Sequence, residues 1–131
     1  MKINCIIAFF ICCISTLSFS QTVSKPLDGK RYSIQMYVGK EKDSNEVLTF
    51  SNGVMNFMQS TKYGFSTDEY KCKQKNDSTF TFLTVSKSKK NGVMTWEGKV
   101  VNEKIEGTCI WTRNVENPVN YTFKGGLIKD K

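Results

Sequence analysis

The chain contains no histidine and only two prolines, and its single long apolar run is confined to the N-terminus. Histidine is the commonest general base and the commonest zinc ligand, so its absence removes the usual basis for acid–base catalysis and for a metal centre. A phosphate-binding loop is also missing, because the Lys124-Gly125-Gly126 segment ends a predicted strand instead of opening a helix. We therefore expect no catalytic residue, no metal site and no cofactor.

The one long apolar run predicts a secretory signal peptide. Lys2 supplies the positive charge, residues 3–17 are almost wholly apolar, and two small serines precede a cleavage site after residue 20. The run is shorter than the roughly 20 residues that a membrane helix needs. We expect residues 1–20 to be a signal peptide and residues 21–131 to be the exported domain, periplasmic or secreted, with no transmembrane segment after cleavage.

Removal of this segment would change both the charge and the cysteine content. The remaining 111 residues keep all twelve carboxylates and carry a net charge of about +6, in a length suited to one domain. Only Cys72 and Cys109 of the five cysteines remain. An even pair in an oxidising compartment is compatible with a disulfide across the interior, and equally with two separately buried thiols.

Short segments of alternating apolar and polar residues follow the N-terminal run, and this pattern indicates strands. A longer polar connection, residues 59–68, separates two of them. Without long crossovers, such strands form an antiparallel meander, and closure would bury its apolar face and remove its edges. We predict an all-β domain, an eight-stranded antiparallel up-and-down barrel. The predicted strands are residues 31–38, 46–51, 54–59, 69–74, 78–86, 92–101, 104–112 and 118–126.

Strand register is informative here, because a slip of one residue would turn a whole strand over. Turns at residues 52–53 and 102–103 put every large apolar side chain of their hairpins on one face. For the middle hairpin, a three-residue loop at residues 75–77 is preferred because it sets Cys72 opposite Phe80. The predicted pairs across the other two turns are Phe50–Met55, Leu48–Phe57, Val100–Ile105, Gly98–Gly107, Trp96–Cys109 and Met94–Trp111.

Bulky side chains dominate the predicted inner face. They either fill the barrel as a core or line a pocket for a small apolar or aromatic ligand, and the sequence leaves both alternatives open. The candidate ligand-binding residues are Tyr32, Phe57, Tyr70, Phe80, Phe82, Met94, Trp96, Trp111, Tyr121 and Phe123.

The predicted outer face is basic. Lysines alternate along residues 71–75 and cluster again at residues 87–90, which favours attraction to an anionic surface or an acidic partner. Specific nucleic-acid binding is not expected of an exported chain. Glu97 and Glu106 also lie on this face, with Glu106 opposite Lys99. Their arrangement is typical of exposed ion pairs rather than of an acid–base pair.

Four segments resemble the lipocalin-like barrels of the calycin group, in particular the small exported proteins of this kind from bacteria. The resemblance spans residues 27–127 as a layout, although Gly29 is followed by Lys30 and Arg31 where lipocalins carry Gly-x-Trp. It implies a lipocalin-like barrel, and no individual binding residue carries over from it. The segments are residues 27–32 (LDGKRY), 94–98 (MTWEG), 105–111 (IEGTCIW) and 121–125 (YTFKG).

Two functions are compatible with these features. The first is an exported, non-catalytic binding protein that holds a small hydrophobic or aromatic molecule inside the barrel. The alternative is a filled barrel that meets an anionic partner through its basic outer face. Ionic strength separates them, because screening weakens surface charge contacts far more than apolar burial.

Overall fold

The computed structural model describes residues 25–130, and the predicted signal peptide, residues 1–20, lies outside the described residues. Antiparallel strands account for most of the described chain, and it contains no helix long and apolar enough to cross a membrane. The strands are β1 (Arg31–Val38), β2 (Glu41–Ser51), β3 (Val54–Phe57), β4 (Ser66–Thr67), β5 (Lys71–Asn76), β6 (Thr79–Ser88), β7 (Gly92–Val101), β8 (Lys104–Thr112) and β9 (Val119–Leu127).

The strands form one sheet that curls into a nearly closed barrel. Their order is β3-β2-β1-β9-β8-β7-β6-β4, with β5 also paired to β6, so the first and last long strands are neighbours. The remaining gap is spanned by a bridge between Val54 and Glu69 and by the Tyr70 N–H, which donates to the Gly53 carbonyl at 3.0 Å. The predicted antiparallel barrel is confirmed. The short β4 is an additional strand, within the connection predicted to be a polar loop.

The hairpins at residues 52–53 and 102–103 have the predicted registers, and all six predicted pairs are present. Asn52 and Gly53 both have positive φ, 52° and 77°, as a type I′ turn requires. At the second turn only Asn102 has positive φ, 54°. Glu103 therefore avoids the left-handed conformation that a type I′ turn would impose on it.

The predicted register of the middle hairpin was wrong. Cys72 pairs with Phe82 instead of Phe80, because the turn lies at residues 77–78 and Lys75 forms a bulge. The bulge adds one residue to β5. This extra residue has the same effect on facing as the expected three-residue loop, so Cys72 still lies on the same face as Phe80 and Phe82. The faces were therefore assigned correctly although the partners were not.

One end of the barrel is filled by aromatic rings packed around Phe50. Its ring centroid lies 5.9 Å from that of Tyr32, 5.1 Å from Tyr70 and 5.2 Å from Phe82, and all three pairs are close to perpendicular. Edge-to-face packing of this kind adds to the stability gained from burial alone. This half of the interior is a solid core.

The turn at residues 25–30 covers the filled end. Leu27 is completely buried against the core. The Asp28 carboxylate accepts hydrogen bonds from the Gly53 N–H at 3.0 Å and from the Tyr70 hydroxyl at 2.8 Å. The turn is thereby attached both to the β2–β3 hairpin and to the segment before β5.

Cys72 and Cys109 are not bonded to each other, and both carry free thiols. They lie on β5 and β8, with β6 and β7 between them in the sheet. Cys109 is fully buried and Cys72 half-buried, and burial raises the pKa of both thiols. Of the two alternatives that the sequence left open, the structure contains the separate thiols.

A candidate binding cavity at the open end of the barrel

The opposite end of the barrel contains a cavity of about 250 Å³. It lies between β1, β2, β7, β8, β9 and the β3–β4 connection, residues 58–65. An apolar cavity of about 150 Å³ is enough for benzene, so this volume suits a small organic molecule. The lining residues are Met36, Asp43, Ser44, Glu46, Phe57, Gln59, Tyr63, Phe65, Met94, Trp96, Trp111 and Tyr121.

Strand β2 carries Glu46 into this cavity. Glu46 alternates with Leu48 and Phe50 on the inward face of the strand, and only 6 % of its surface is exposed. The two apolar residues of this face lie deeper in the barrel, toward the filled end. A carboxylate therefore occupies the inward position where the solid core gives way to the cavity.

A β-bulge at the start of β2 places a second carboxylate at the cavity. Met36 pairs with Ser44 and Tyr37 pairs with Lys42, which leaves Asp43 without a partner on β1. A bulge bends the strand and changes the direction of its side chains, and bulges are common at barrel rims. Asp43 lines the cavity although strict alternation would place it on the outer face.

Aromatic rings form the floor and one wall. The Trp96 ring centroid lies 5.4 Å from that of Phe57 and 5.8 Å from that of Phe123. Phe65, from the β3–β4 connection, packs on Phe57 at 5.5 Å. Trp111 is held by its indole N–H, which donates to the Asn91 carbonyl at 2.6 Å.

Two buried polar atoms of the lining residues have no hydrogen-bond partner among residues 25–130: Oε2 of Glu46 and Nε1 of Trp96. Most buried polar atoms in proteins are hydrogen-bonded, so each such atom needs an explanation. Burial raises the pKa of Glu46, and hydrogen bonds from the backbone of Gln59, Met58 and Val47 act in the opposite direction. The wall of the cavity therefore contains one unpaired acceptor and one unpaired donor, both buried within it.

Arg113 lies against the lining residue Trp111, and its charge is already paired. Its guanidinium carbon lies 4.1 Å from the centroid of the Trp111 ring, and its charge pairs with Glu116. Burial raises the pKa of Tyr121, Asp43 adds to this shift, and Arg113 lowers it. The guanidinium shows that a ring at this rim accepts a cation on its face.

The ten candidate residues divide between the two ends. Phe57, Met94, Trp96, Trp111 and Tyr121 line the cavity, and Phe123 packs behind Trp96. The remaining four lie elsewhere: Tyr32, Tyr70 and Phe82 belong to the filled end, and Phe80 packs half-buried against the core.

Polar and loop residues of the cavity were missed by the sequence-based prediction. The missed lining residues are Met36, Asp43, Ser44, Glu46, Gln59, Tyr63 and Phe65. Glu46 could have been found, because it continues the alternation of Leu48 and Phe50 inward. Tyr63 and Phe65 belong to a connection for which the pattern gives no facing direction.

The outer face carries a wide, open groove over β5, β6, β7 and β8, with a volume of about 970 Å³ that is largely open to solvent. Lys71, Lys73 and Lys75 line it. Glu97 and Glu106 lie on this face as predicted, and Glu106 pairs with Lys99 at 3.6 Å. Between residues 25 and 130, no group of three or more Cys, Asp or Glu side chains is arranged to hold a metal ion.

Comparison of the chain with protein-family models, with curated proteins and with solved structures found no match. The structure itself defines a class: a small antiparallel barrel that is filled at one end and hollow at the other.

Proposed function

We propose that this chain is an exported, non-catalytic binding protein of the lipocalin-like kind, which holds a small apolar or aromatic molecule in the open end of its barrel. The main support for the proposal is the cavity. Five of the candidate residues line it, and two buried polar atoms of its lining residues have no hydrogen-bond partner within the described chain. Ligand sites are typically apolar concavities with a few polar groups that fix orientation. Export is supported by the N-terminal sequence.

The filled end supports the same function because it holds the cavity in a fixed shape. The aromatic cluster around Phe50 and the hydrogen bonds of Asp28 hold one half of the barrel in a fixed shape. The strands that line the cavity extend from this rigid half. A preformed cavity loses little free energy to ordering when it binds a ligand.

Native mass spectrometry of protein recovered from its own host tests both parts of the proposal. We expect a chain that begins at Gln21 and carries an additional small mass that is released on denaturation. Titration of the stripped protein with a panel of small aromatic and apolar molecules should change the fluorescence of Trp96 and Trp111 saturably. A retained leader would contradict export, and unresponsive tryptophans across the panel would contradict ligand binding.

A matched pair of substitutions on β2 locates the ligand. Ser44 lines the cavity and the adjacent Asn45 is exposed on the opposite face. Ser44→Leu should fill part of the cavity and weaken binding by about tenfold or more, equivalent to about 1.4 kcal/mol. Asn45→Leu should leave the affinity unchanged. Equal affinities for the two variants would place the ligand outside the cavity.

The basic outer groove favours a second candidate function, binding of an anionic partner. Lys71, Lys73 and Lys75 project from β5 into one groove. Capture by anionic vesicles or a polyanion should weaken steeply with added salt, because exposed charges are screened over about 10 Å at 0.1 M. Replacing the three lysines with Gln should abolish it. Salt-independent capture would contradict this function.

A further inference from the structure

The charge of the cavity is opposite to the charge of the chain. The protein has a formal net charge of +7, with nineteen Lys and Arg residues against twelve Asp and Glu. Yet Asp43 and Glu46 both line the cavity, and no Lys or Arg of the described chain does. An anionic ligand would meet two carboxylates there. The electrostatic selection inside the barrel therefore favours a positively charged guest.

Glu46 is the group in the cavity that a positively charged ligand would stabilise most. It is 6 % exposed, Oε2 has no hydrogen-bond partner, and none of the ion pairs within residues 25–130 includes it. A buried carboxylate without a cation is costly, and its burial raises its pKa accordingly. A positive charge that arrives with the ligand and lies close to the carboxylate would reduce this cost.

The aromatic lining favours an organic cation over a bare metal ion as the ligand. Trp111 and Tyr121 are only partly buried and line the same cavity as Glu46, and apolar Met94 lies beside them. The faces of Trp and Tyr rings attract ammonium groups, while the rest of the surface suits a hydrocarbon body. Arg113 already occupies one such position on Trp111.

We propose that the cavity binds a small organic amine, whose ammonium group meets the carboxylate of Glu46 and whose apolar or aromatic body packs against Trp111 and Tyr121. This inference rests on the proposed function and names the ligand class for the same site. The volume of about 250 Å³ limits the guest to little more than one ring with a short side chain.

Three probes of nearly equal size test the proposal on the unmodified protein: benzylamine, benzyl alcohol and benzoate. They share one ring and differ in the charge of the head group. We expect benzylamine to bind about tenfold or more tightly than benzyl alcohol, because contacts between opposite charges are stronger than those of a neutral hydroxyl. Benzoate should bind most weakly. Isothermal titration calorimetry and tryptophan fluorescence both report these affinities.

Two variants assign the effect to Glu46. Glu46→Gln should remove the advantage of benzylamine over benzyl alcohol while leaving the alcohol affinity within a factor of about three. Glu97→Gln changes the net charge equally, but its side chain is exposed on the outer face of β7, so the advantage should persist. A circular dichroism spectrum identical to that of the parent shows that each variant has folded.

The outcomes separate the two proposals. Binding of benzyl alcohol or benzoate as tight as that of benzylamine would overturn the amine assignment and leave the binding function intact. An amine advantage that survives Glu46→Gln would also overturn it. Failure of all three probes and of a wider panel of small apolar molecules would instead contradict the binding function itself.

Discussion

At the scale of the residue, glycines set how closely the strands and rings approach. A Cβ atom on Gly125 would overlap the carbonyl oxygen of Ser33 on the neighbouring strand β1. On the adjacent Gly126, the nearest atom to such a Cβ is the carbonyl oxygen of Glu103, at 3.7 Å. The two positions are neighbours on β9, yet only the first is sterically closed to a side chain.

This difference predicts opposite results for the same substitution. Gly125→Ala should force β1 and β9 apart and lower the free energy of unfolding by about 2 kcal/mol or more, a typical cost of overpacking. Gly126→Ala should be neutral or slightly stabilising, because it restricts the unfolded chain. Urea-induced unfolding of both variants measures the difference. Equal stabilities would show that the β1–β9 pairing is looser than its register indicates.

The turn at residues 25–30 is the element that closes the filled end, and Asp28 connects it to two other parts of the barrel. Asp28→Ala should lower the free energy of unfolding by about 2 kcal/mol, because it leaves the Gly53 N–H and the Tyr70 hydroxyl without their acceptor. The Tyr70→Phe variant provides the matched background. In that background the loss caused by Asp28→Ala should be smaller, since one of the two donors is already gone. Additive losses would mean that the Tyr70 hydroxyl contributes nothing through Asp28.

Elements with regular alternation were predictable from the sequence, and those with a bulge were not. The β2–β3 and β7–β8 hairpins have uninterrupted alternation up to a two-residue turn, so one register satisfied every inward residue. At Lys75 a bulge adds one residue, and the period-2 pattern is equally compatible with a longer loop. The bulge at Asp43 likewise brought a carboxylate to the cavity that alternation assigns to the outside.

The candidate site was predictable only in part, because alternation specifies which face a side chain occupies but not how deep it lies. Phe82 and Trp96 are equivalent in the pattern, yet Phe82 packs in the filled end while Trp96 lines the cavity. Depth depends on the tilt of the strands and on which connections fold across each end. Here the turn at residues 25–30 covers one end, and the connection at residues 58–65 leaves a cavity at the other.

At the scale of the whole molecule, Glu46 couples the cavity to the stability of the barrel. Burial raises its pKa in the folded protein above the ordinary value of 4.5, so the folded state favours the protonated carboxyl. Below about pH 4 the group is protonated in both the folded and unfolded states, and its contribution to stability is fully present. As the pH rises through the pKa of the folded state, this contribution is lost.

Glu46→Gln should therefore stabilise the protein increasingly as the pH rises, since the amide carries no charge to bury. The free energy of unfolding of the variant relative to the parent, measured with urea at about pH 4 and at about pH 8, should be larger at the higher pH. Glu97→Gln, on the outer face of β7, is the control for the change in net charge. Benzylamine, in contrast, should stabilise the parent at the higher pH more than it stabilises Glu46→Gln, because a ligand that binds only the folded state stabilises it more when its affinity is higher. A pH-independent difference between parent and Glu46→Gln would show that the carboxylate is solvated, and the reason for the cavity to select a cation would then be lost.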